Sequence, residues 1–446
     1  MSTPPAAVSA AAERRYVVRP ARSVHGVLSV PGDKSISHRA LMLGGIADGV
    51  TDISGFLASE DCLATLAALR ALGVRIERAA ATDVRVYGAG AEGLQAPGAP
   101  LDMGNAGTAM RLFMGLLAGQ RFDSTLIGDA SLMRRPMERV AQPLRLMGAS
   151  IRTHEGRPPV QITAGAGLAG IDYTLPMASA QVKSALLLAG LGARGRTRVT
   201  EPAPTRDHTE RMLGGFGVDV RREGSSVSVA GGARLTASNV RVPGDFSSAA
   251  FFLVAGCLAA TEGLTLRGVG INPTRTGLLD MLRLMGARIV VEPTAQGGPE
   301  PIADIHVTAG PLRGIRVPEA LVPLAIDEFP AFFVAAAAAE GETLVTGAGE
   351  LRVKESDRLA VMATGLTALG VSCELLADGL RVTGGAPVGG ARIDSHGDHR
   401  IAMAFAIASL LAHAPIQIDD VANVATSFPG FADLARCAGL DLAEST

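Results

Sequence analysis

One phrase recurs six times along the chain: a long apolar stretch that closes on a Gly and is followed by a short β-branched run. ALRALGVRI at Gly73, PLRLMGASI at Gly148, MLGGFGVDV at Gly217, MLRLMGARI at Gly286, GLTALGVSC at Gly370 and a degenerate LARCAGLDL at Gly439 stand about seventy residues apart. A repeat of that length constrains the fold more than composition does, because each copy must be one supersecondary unit that buries its apolar face against its neighbours. The Gly of each phrase supplies the left-handed residue that ends a helix, so it belongs to the scaffold.

Each copy also opens with a short strand, a polar turn and a second, strongly apolar helix. The six openings are LSVPGDKSISHRALMLGGIA, LDMGNAGTAMRLFMGLLAG, YTLPMASAQVKSALLLAGL, VRVPGDFSSAAFFLVAGCLA, IDEFPAFFVAAAAAEG and IDSHGDHRIAMAFAIASLL. Between the two helices lies a further strand, as in EGLTLRGVG, so the unit reads β-α-β-α followed by closing strands, a mixed α/β element. Helices apolar nearly all round are expected to be buried. Six units make two domains of three. The first is expected over residues 27–240, and the second over 14–26 plus 241–446. Hinges are expected near 22–26 and 236–241, and residues 1–13 read as a loose tail.

Composition narrows the function. With 48% hydrophobic and 19% charged residues the chain is globular, and no apolar run reaches the roughly 18 residues of a membrane span. A net charge of -2, three Tyr and no Trp give no basic, aromatic surface for nucleic acid. The four Cys are isolated in apolar segments, as free thiols in a reducing cytoplasm would be, and no CxxC or HExxH spacing indicates a metal.

The six copies can be compared with one another. Pro31-Gly32-Asp33 recurs as Pro243-Gly244-Asp245, so that turn is structural, whereas Lys34 is replaced by Phe246. The stretch is not a phosphate loop, which needs a Gly directly before its Lys. Every buried helix begins with polar residues: Lys34, Ser35 and Arg39; Asn105, Thr108 and Arg111; Ser179, Gln181 and Lys183; Ser247 and Ser248; Asp327 and Glu328; Asp398, His399 and Arg400. Taken singly, each is as well explained by a helix cap or a solvated first turn. Together, if all six starts face one cleft, their N–H groups and cations form an anion site. The densest charged run, Leu351 to Arg358, is either an exposed ion-pair network or a carboxyl, Glu355, whose ionisation is set by Lys354 and Arg358.

The six units and their motifs resemble the enolpyruvyl transferase family. GDKS at Gly32, NAGTAMR at Asn105, RRPM at Arg134, SAQVK at Ser179, RDHTE at Arg206, NPTR at Asn272, RVKESDR at Arg352 and GDHRIAM at Gly397 carry the resemblance, which runs from about Arg22 to Asp441. It implies a two-domain inside-out α/β barrel of six β-α-β-α-β-β units. The implied reaction moves the enolpyruvyl group of phosphoenolpyruvate to the 5-hydroxyl of shikimate 3-phosphate, in a cytoplasmic monomer without cofactor or metal. Lys34, Ser35, Arg39, Ser179, Ala180, Gln181, Arg206, Asp327 and Lys354 would hold shikimate 3-phosphate. Lys34, Gly107, Arg135, Gln181, Arg358 and Arg400 would hold phosphoenolpyruvate. Asp327, Glu355 and Lys34 would be catalytic, with Glu355 moving the proton of the methylene carbon. Three positions depart from or vary within the pattern: Thr426, where many relatives carry a Lys, Glu350, where some have Asn, and Gly107, where some have Ala.

Three competing readings fit less well. A transferase acting on UDP-N-acetylglucosamine usually carries a Cys in the mobile loop, and residues 105–136 contain none. A non-catalytic scaffold would not need the copy-specific cations. An RNA-end-processing enzyme of related repeat design would need a basic face.

Overall fold

A helix that is apolar on every side is stable only inside a protein body. The six expected helices are α1 (Lys34–Ile46), α2 (Gly107–Leu117), α3 (Ala180–Leu191), α4 (Phe246–Ala259), α5 (Phe329–Ala338) and α6 (His399–Ala408), and nearly every residue of each is buried. The computed structural model describes residues 14–165, 167–294, 298–386 and 388–445. The expected tail at 1–13 lies outside the described residues.

Among the described residues the strands form six separate small sheets, one per repeat. In the second repeat Leu101–Asp102 runs parallel to Ser124–Ile127, which pairs antiparallel with Arg157–Thr163, itself antiparallel to Ser150–His154. The third repeats this order with Asp172–Thr174, Arg196–Thr200, Ser226–Ala230 and Val220–Glu223. The sixth is completed from the start of the chain: Arg15–Arg19 lies between Ile416–Asp419 and Asp441–Ser445. In the fifth, the three strands Gly341–Val345, Leu380–Gly384 and Ser372–Leu375 are joined by single parallel bridges from Arg313 and Arg316 in place of an opening strand.

The first and fourth repeats exchange their opening strands. Gly26–Leu28 pairs with Leu264–Gly270 of the fourth, and Val240–Arg241 pairs with Val50–Ser54 of the first. The buried apolar residues accordingly divide into two clusters. One holds residues Ile36 to Val242; the other holds Tyr16 to Val30 and Phe246 to Leu442. The chain therefore passes from one lobe to the other after Val30 and after Val242, four residues beyond the expected hinge at 22–26 and directly after the one at 236–241. The recurring Pro-Gly-Asp is the crossing itself. Asp33 N donates to Pro243 O at 2.8 Å, and Asp245 N donates to Pro31 O at 2.8 Å. Gly32 is required there, because a Cβ would stand 1.9 Å from Gly55 O.

Within the lobes the inner helices pack on one another, α2 on α3 in the first and α4, α5 and α6 together in the second. Phe246, Phe251, Phe252, Phe329, Phe332, Phe333 and Phe405 are fully buried in the second, each contributing roughly 1.5–3 kcal/mol by leaving water. The first lobe relies on closer approach: a Cβ on Gly115 of α2 would lie 2.1 Å from Ala185 O of α3. Gly115→Ala is expected to force the two helices apart at a cost of about 1–3 kcal/mol, read as a lower unfolding midpoint in calorimetry. An unchanged midpoint would mean that this contact is not tight.

Candidate active site

Four of the inner helices begin with a side-chain cap. Asp33 Oδ1 accepts from Ile36 N at 2.9 Å, Ser179 Oγ from Val182 N at 3.4 Å, Asp245 Oδ1 from Ser247 N at 2.6 Å and Asp398 Oδ1 from Arg400 N at 3.0 Å. α2 and α5 have no such cap. The capping explanation of the polar helix starts therefore holds for part of the set, and the remaining polar groups do something else. Several of them, Lys34, Asp327 and Arg400 among them, meet at the junction of the two lobes.

The centre of that junction is a charge network. Glu355 Oε2 accepts from Arg358 Nη2 at 2.6 Å, and its Oε1 accepts from Arg135 Nη1 of the other lobe at 3.3 Å. Asp327 pairs with Arg206 of the other lobe, and has Arg358 at 3.4 Å, Lys354 at 3.6 Å and Arg400 at 4.0 Å. Arg400 also donates to Asp327 O at 3.1 Å, and Arg358 Nε donates to Asp398 Oδ2 at 2.8 Å. Burial alone would raise the carboxyl pKa of Asp327, yet Arg206, Lys354, Arg400 and Arg358 hold it well below the ordinary range. Glu355 is likewise held well below its usual value, by Arg358, Arg135 and Lys34 against the effect of burial. His399, beside them, is kept neutral by burial and by Lys34 and Arg400.

Lys34, the first residue of α1, donates from Nζ to Asp61 Oδ2 at 3.0 Å, while its backbone N donates across the lobes to Asp245 Oδ2 at 3.0 Å. The guanidinium of Arg39 is buried in the first lobe. It donates to Thr209 Oγ1 at 2.7 Å, Ser184 Oγ at 2.9 Å and Ser35 O at 2.9 Å, and burial pushes its pKa down to about 10. Ser179, Ala180 and Gln181 form the start of α3, where Gln181 Oε1 accepts from Arg111 at 2.7 Å and its Nε2 donates to Thr108 at 2.9 Å. Gly107 opens the uncapped α2, and a Cβ there would meet Arg135 Nη1 at 3.0 Å and Arg111 Nη1 at 3.3 Å. Of the adjacent pair in RRPM, Arg135 is buried and donates to Asn105 Oδ1 at 2.6 Å, whereas Arg134 is exposed.

Some residues singled out by their polarity are scaffold. Lys183 is fully buried between Glu201 at 2.8 Å and Glu210 at 2.7 Å. The two departures from the family pattern also find partners. Glu350 Oε1 accepts from Lys354 Nζ at 3.0 Å, and Thr426 Oγ1 donates to Asn423 O at 2.7 Å within a turn packed on the outer helix Glu60–Ala71 of the first lobe. Sequence reasoning missed Asp61, because acidic residues in the first turn of an outer helix look like ordinary dipole partners. It also missed Arg275, whose motif gave no sign that it spans both lobes. Among the described residues, no helix is long and apolar enough to cross a membrane, and no group of three or more His, Cys, Asp or Glu side chains is arranged to hold a metal.

This arrangement places five basic side chains, Arg135, Arg206, Lys354, Arg358 and Arg400, around two carboxylates at a buried junction. It can bind compact polyanions and move a proton beside them. The family model for EPSP synthase (3-phosphoshikimate 1-carboxyvinyltransferase) matches residues 18–434. A 3-phosphoshikimate 1-carboxyvinyltransferase of Alkalilimnicola ehrlichii is 62% identical over 428 residues, covering 96% of each chain. One of Methylococcus capsulatus is 58% identical, covering 96% of this chain and 98% of its own. The solved EPSP synthase of Acinetobacter baumannii superposes with a TM-score of 0.88 at 53% identity, over 97% of this chain and 100% of that one.

The ionised state of the network sets a pH response. Folded-state pKa values below the unfolded ones mean that Asp327 and Glu355 add stability above the unfolded carboxyl range, about pH 4. That contribution is lost as the pH falls toward their folded values. Thermal melts from neutral to about pH 3 are expected to decline on the acid side, with a shallower decline in Glu355→Gln. Identical slopes would show that Glu355 takes no part.

Proposed function

The chain belongs to the EPSP synthase (3-phosphoshikimate 1-carboxyvinyltransferase) family, and from that premise we propose how its residues share the reaction. The enzyme transfers the enolpyruvyl group of phosphoenolpyruvate to the 5-hydroxyl of shikimate 3-phosphate and releases inorganic phosphate, a step of the shikimate pathway. Both substrates carry a phosphate and a carboxylate, which suits a junction rich in Arg and Lys.

Shikimate 3-phosphate lies against the first lobe, with its phosphate and ring held by Lys34, Ser35, Arg39, Ser179, Ala180, Gln181 and Arg206. Asp327 and Lys354 approach it from the second lobe. Phosphoenolpyruvate takes the uncapped start of α2 at Gly107, with Lys34, Gln181, Arg135, Arg358 and Arg400 around its anionic groups. In the addition step Glu355 gives a proton to the methylene carbon while the 5-hydroxyl oxygen attacks the adjacent carbon and passes its proton to the Asp327 carboxylate, with the Lys34 ammonium stabilising the negative charge beside it. In the elimination step Glu355 takes a proton back from the new methyl group, the double bond forms and phosphate leaves. The cations stabilise the charge that develops on phosphate and carboxylate, typically the larger catalytic contribution.

The position of Glu355 carries this reading: it is paired with Arg358 on its own lobe and with Arg135 on the other. In that field it is a carboxylate, unable to donate a proton. Phosphoenolpyruvate brings negative charge to the same cations, which weakens their hold on Glu355 and raises its pKa toward a working acid. The substrates thus prepare their own acid. The two crossings at Pro31-Gly32 and Pro243-Gly244 serve as hinges on which the lobes close over them. One chain supplies every proposed group, and four free cysteines suit a reducing cytoplasm, so we propose a cytoplasmic enzyme active as a monomer.

Phosphate release from phosphoenolpyruvate is expected to require shikimate 3-phosphate, and Glu355→Ala is expected to lower kcat by roughly 100-fold or more. No release from the unmutated protein would end the assignment. Formation of the ternary complex is also expected to take up protons near neutral pH, read as a dependence of calorimetric heat on the ionisation enthalpy of the buffer. Heat independent of buffer would contradict the proposed rise in the Glu355 pKa.

A further inference from the structure

Arg275 has no part in the substrate contacts above, yet it is 3% exposed and bonded to both lobes. Its Nη1 donates to Asp33 Oδ2 of the first lobe at 2.7 Å, and its Nη2 donates to Ser247 Oγ at 2.5 Å. Glu328 lies at 3.6 Å and Asp245 at 3.8 Å, both on the second lobe. Three carboxylates thus surround one guanidinium, at the place where the chain crosses between lobes.

The same turn reaches the first lobe a second time. Asn272 Nδ2 donates to Asp207 Oδ1 at 2.7 Å and to Glu300 Oε2 at 2.9 Å, while its Oδ1 accepts from Thr274 N at 2.9 Å and fixes the turn. Asp33 precedes Lys34, Asp207 follows Arg206 and Glu328 follows Asp327. The turn Asn272–Arg275 therefore touches the chain neighbour of three proposed site residues and none of those residues themselves.

We propose that Arg275 is a positioning residue that sets the register of the two lobes at closure, bringing Lys34 on α1 and Asp327 before α5 to their working separation. The geometry favours Arg over any other side chain, because only a planar fork donates to Asp33 and Ser247 at once while lying beside Asp245 and Glu328. Without it, three buried carboxylates from both sides of the crossing face one another uncompensated, and the closed arrangement is opposed by their repulsion. The open arrangement, in which water reaches them, is not.

The proposal rests on the enolpyruvyl transfer assigned above, and the unmutated enzyme run in parallel separates the two: if it fails to release phosphate the assignment falls, whatever the variant does. In Arg275→Gln, shikimate 3-phosphate is expected to bind within about threefold of the unmutated protein, because most of its proposed contacts lie on the first lobe. kcat is expected to fall by about 100-fold, the scale of a misplacement near 1 Å, and the ligand should no longer reduce the radius of gyration in solution scattering. A kcat within about threefold of the unmutated enzyme, or undiminished compaction, overturns the proposal. If Arg275→Gln does not fold, Arg275→Lys keeps the charge but loses the fork. It is expected to fold, to bind shikimate 3-phosphate and to lose both kcat and compaction in part, whereas unchanged values in this variant overturn the proposal equally.

Discussion

The charges at the junction of the lobes could not exist singly in so apolar a body. The carboxylates of Asp327, Glu355 and Asp398 and the guanidinium groups of Arg135, Arg206, Arg358 and Arg400 are tolerable because each desolvated group is neutralised by the next. Such a cluster contributes little net stability, since the cost of removing charge from water offsets most of the attraction. Its proposed use is to hold several cations in fixed positions before a polyanion arrives. The fold brings these groups together from residues scattered between 135 and 400.

The repeat does this by geometry. Six helices are buried for the same hydrophobic reason, and a buried helix has to present its unsatisfied N–H groups somewhere. Here most of the starts meet at the junction, where Asp33, Ser179, Asp245 and Asp398 cap four of them. The start of α2 is left to Gly107, close to Arg135. Scaffold and site thus share residues: Asp398 caps α6 and also fixes the guanidinium of Arg358. A change at such a position alters fold and chemistry together.

Much of this was legible in the sequence. The six Gly-ended phrases revealed the units, and the difference between Lys34 and Phe246 within a shared Pro-Gly-Asp turn separated a proposed site residue from its scaffold. Two kinds of information were hidden. The exchange of opening strands cannot be read from a repeat, because both strands have the same local pattern and only their partners differ. Long-range ion pairs are equally silent: Asp61 and Arg275 look like a helix first turn and a surface turn until the chain brings Lys34 and Asp33 to them. Lys183 shows the converse, since its place in a helix start suggested an anion ligand and its two Glu partners make it internal.

The exchanged strands also bear on how the protein can be made. A ribosome delivers the chain from its first residue, so residues 26–28 emerge early and must wait for Leu264–Gly270, more than two hundred positions on, before they have a sheet to join. The sheet of the first repeat stays without its opening strand until Val240–Arg241 appears. Neither lobe is a finished object while the other is missing, although each has its own apolar core. The molecule has two bodies but a single act of completion, and the segments that complete them run directly into the crossings at Pro31-Gly32 and Pro243-Gly244.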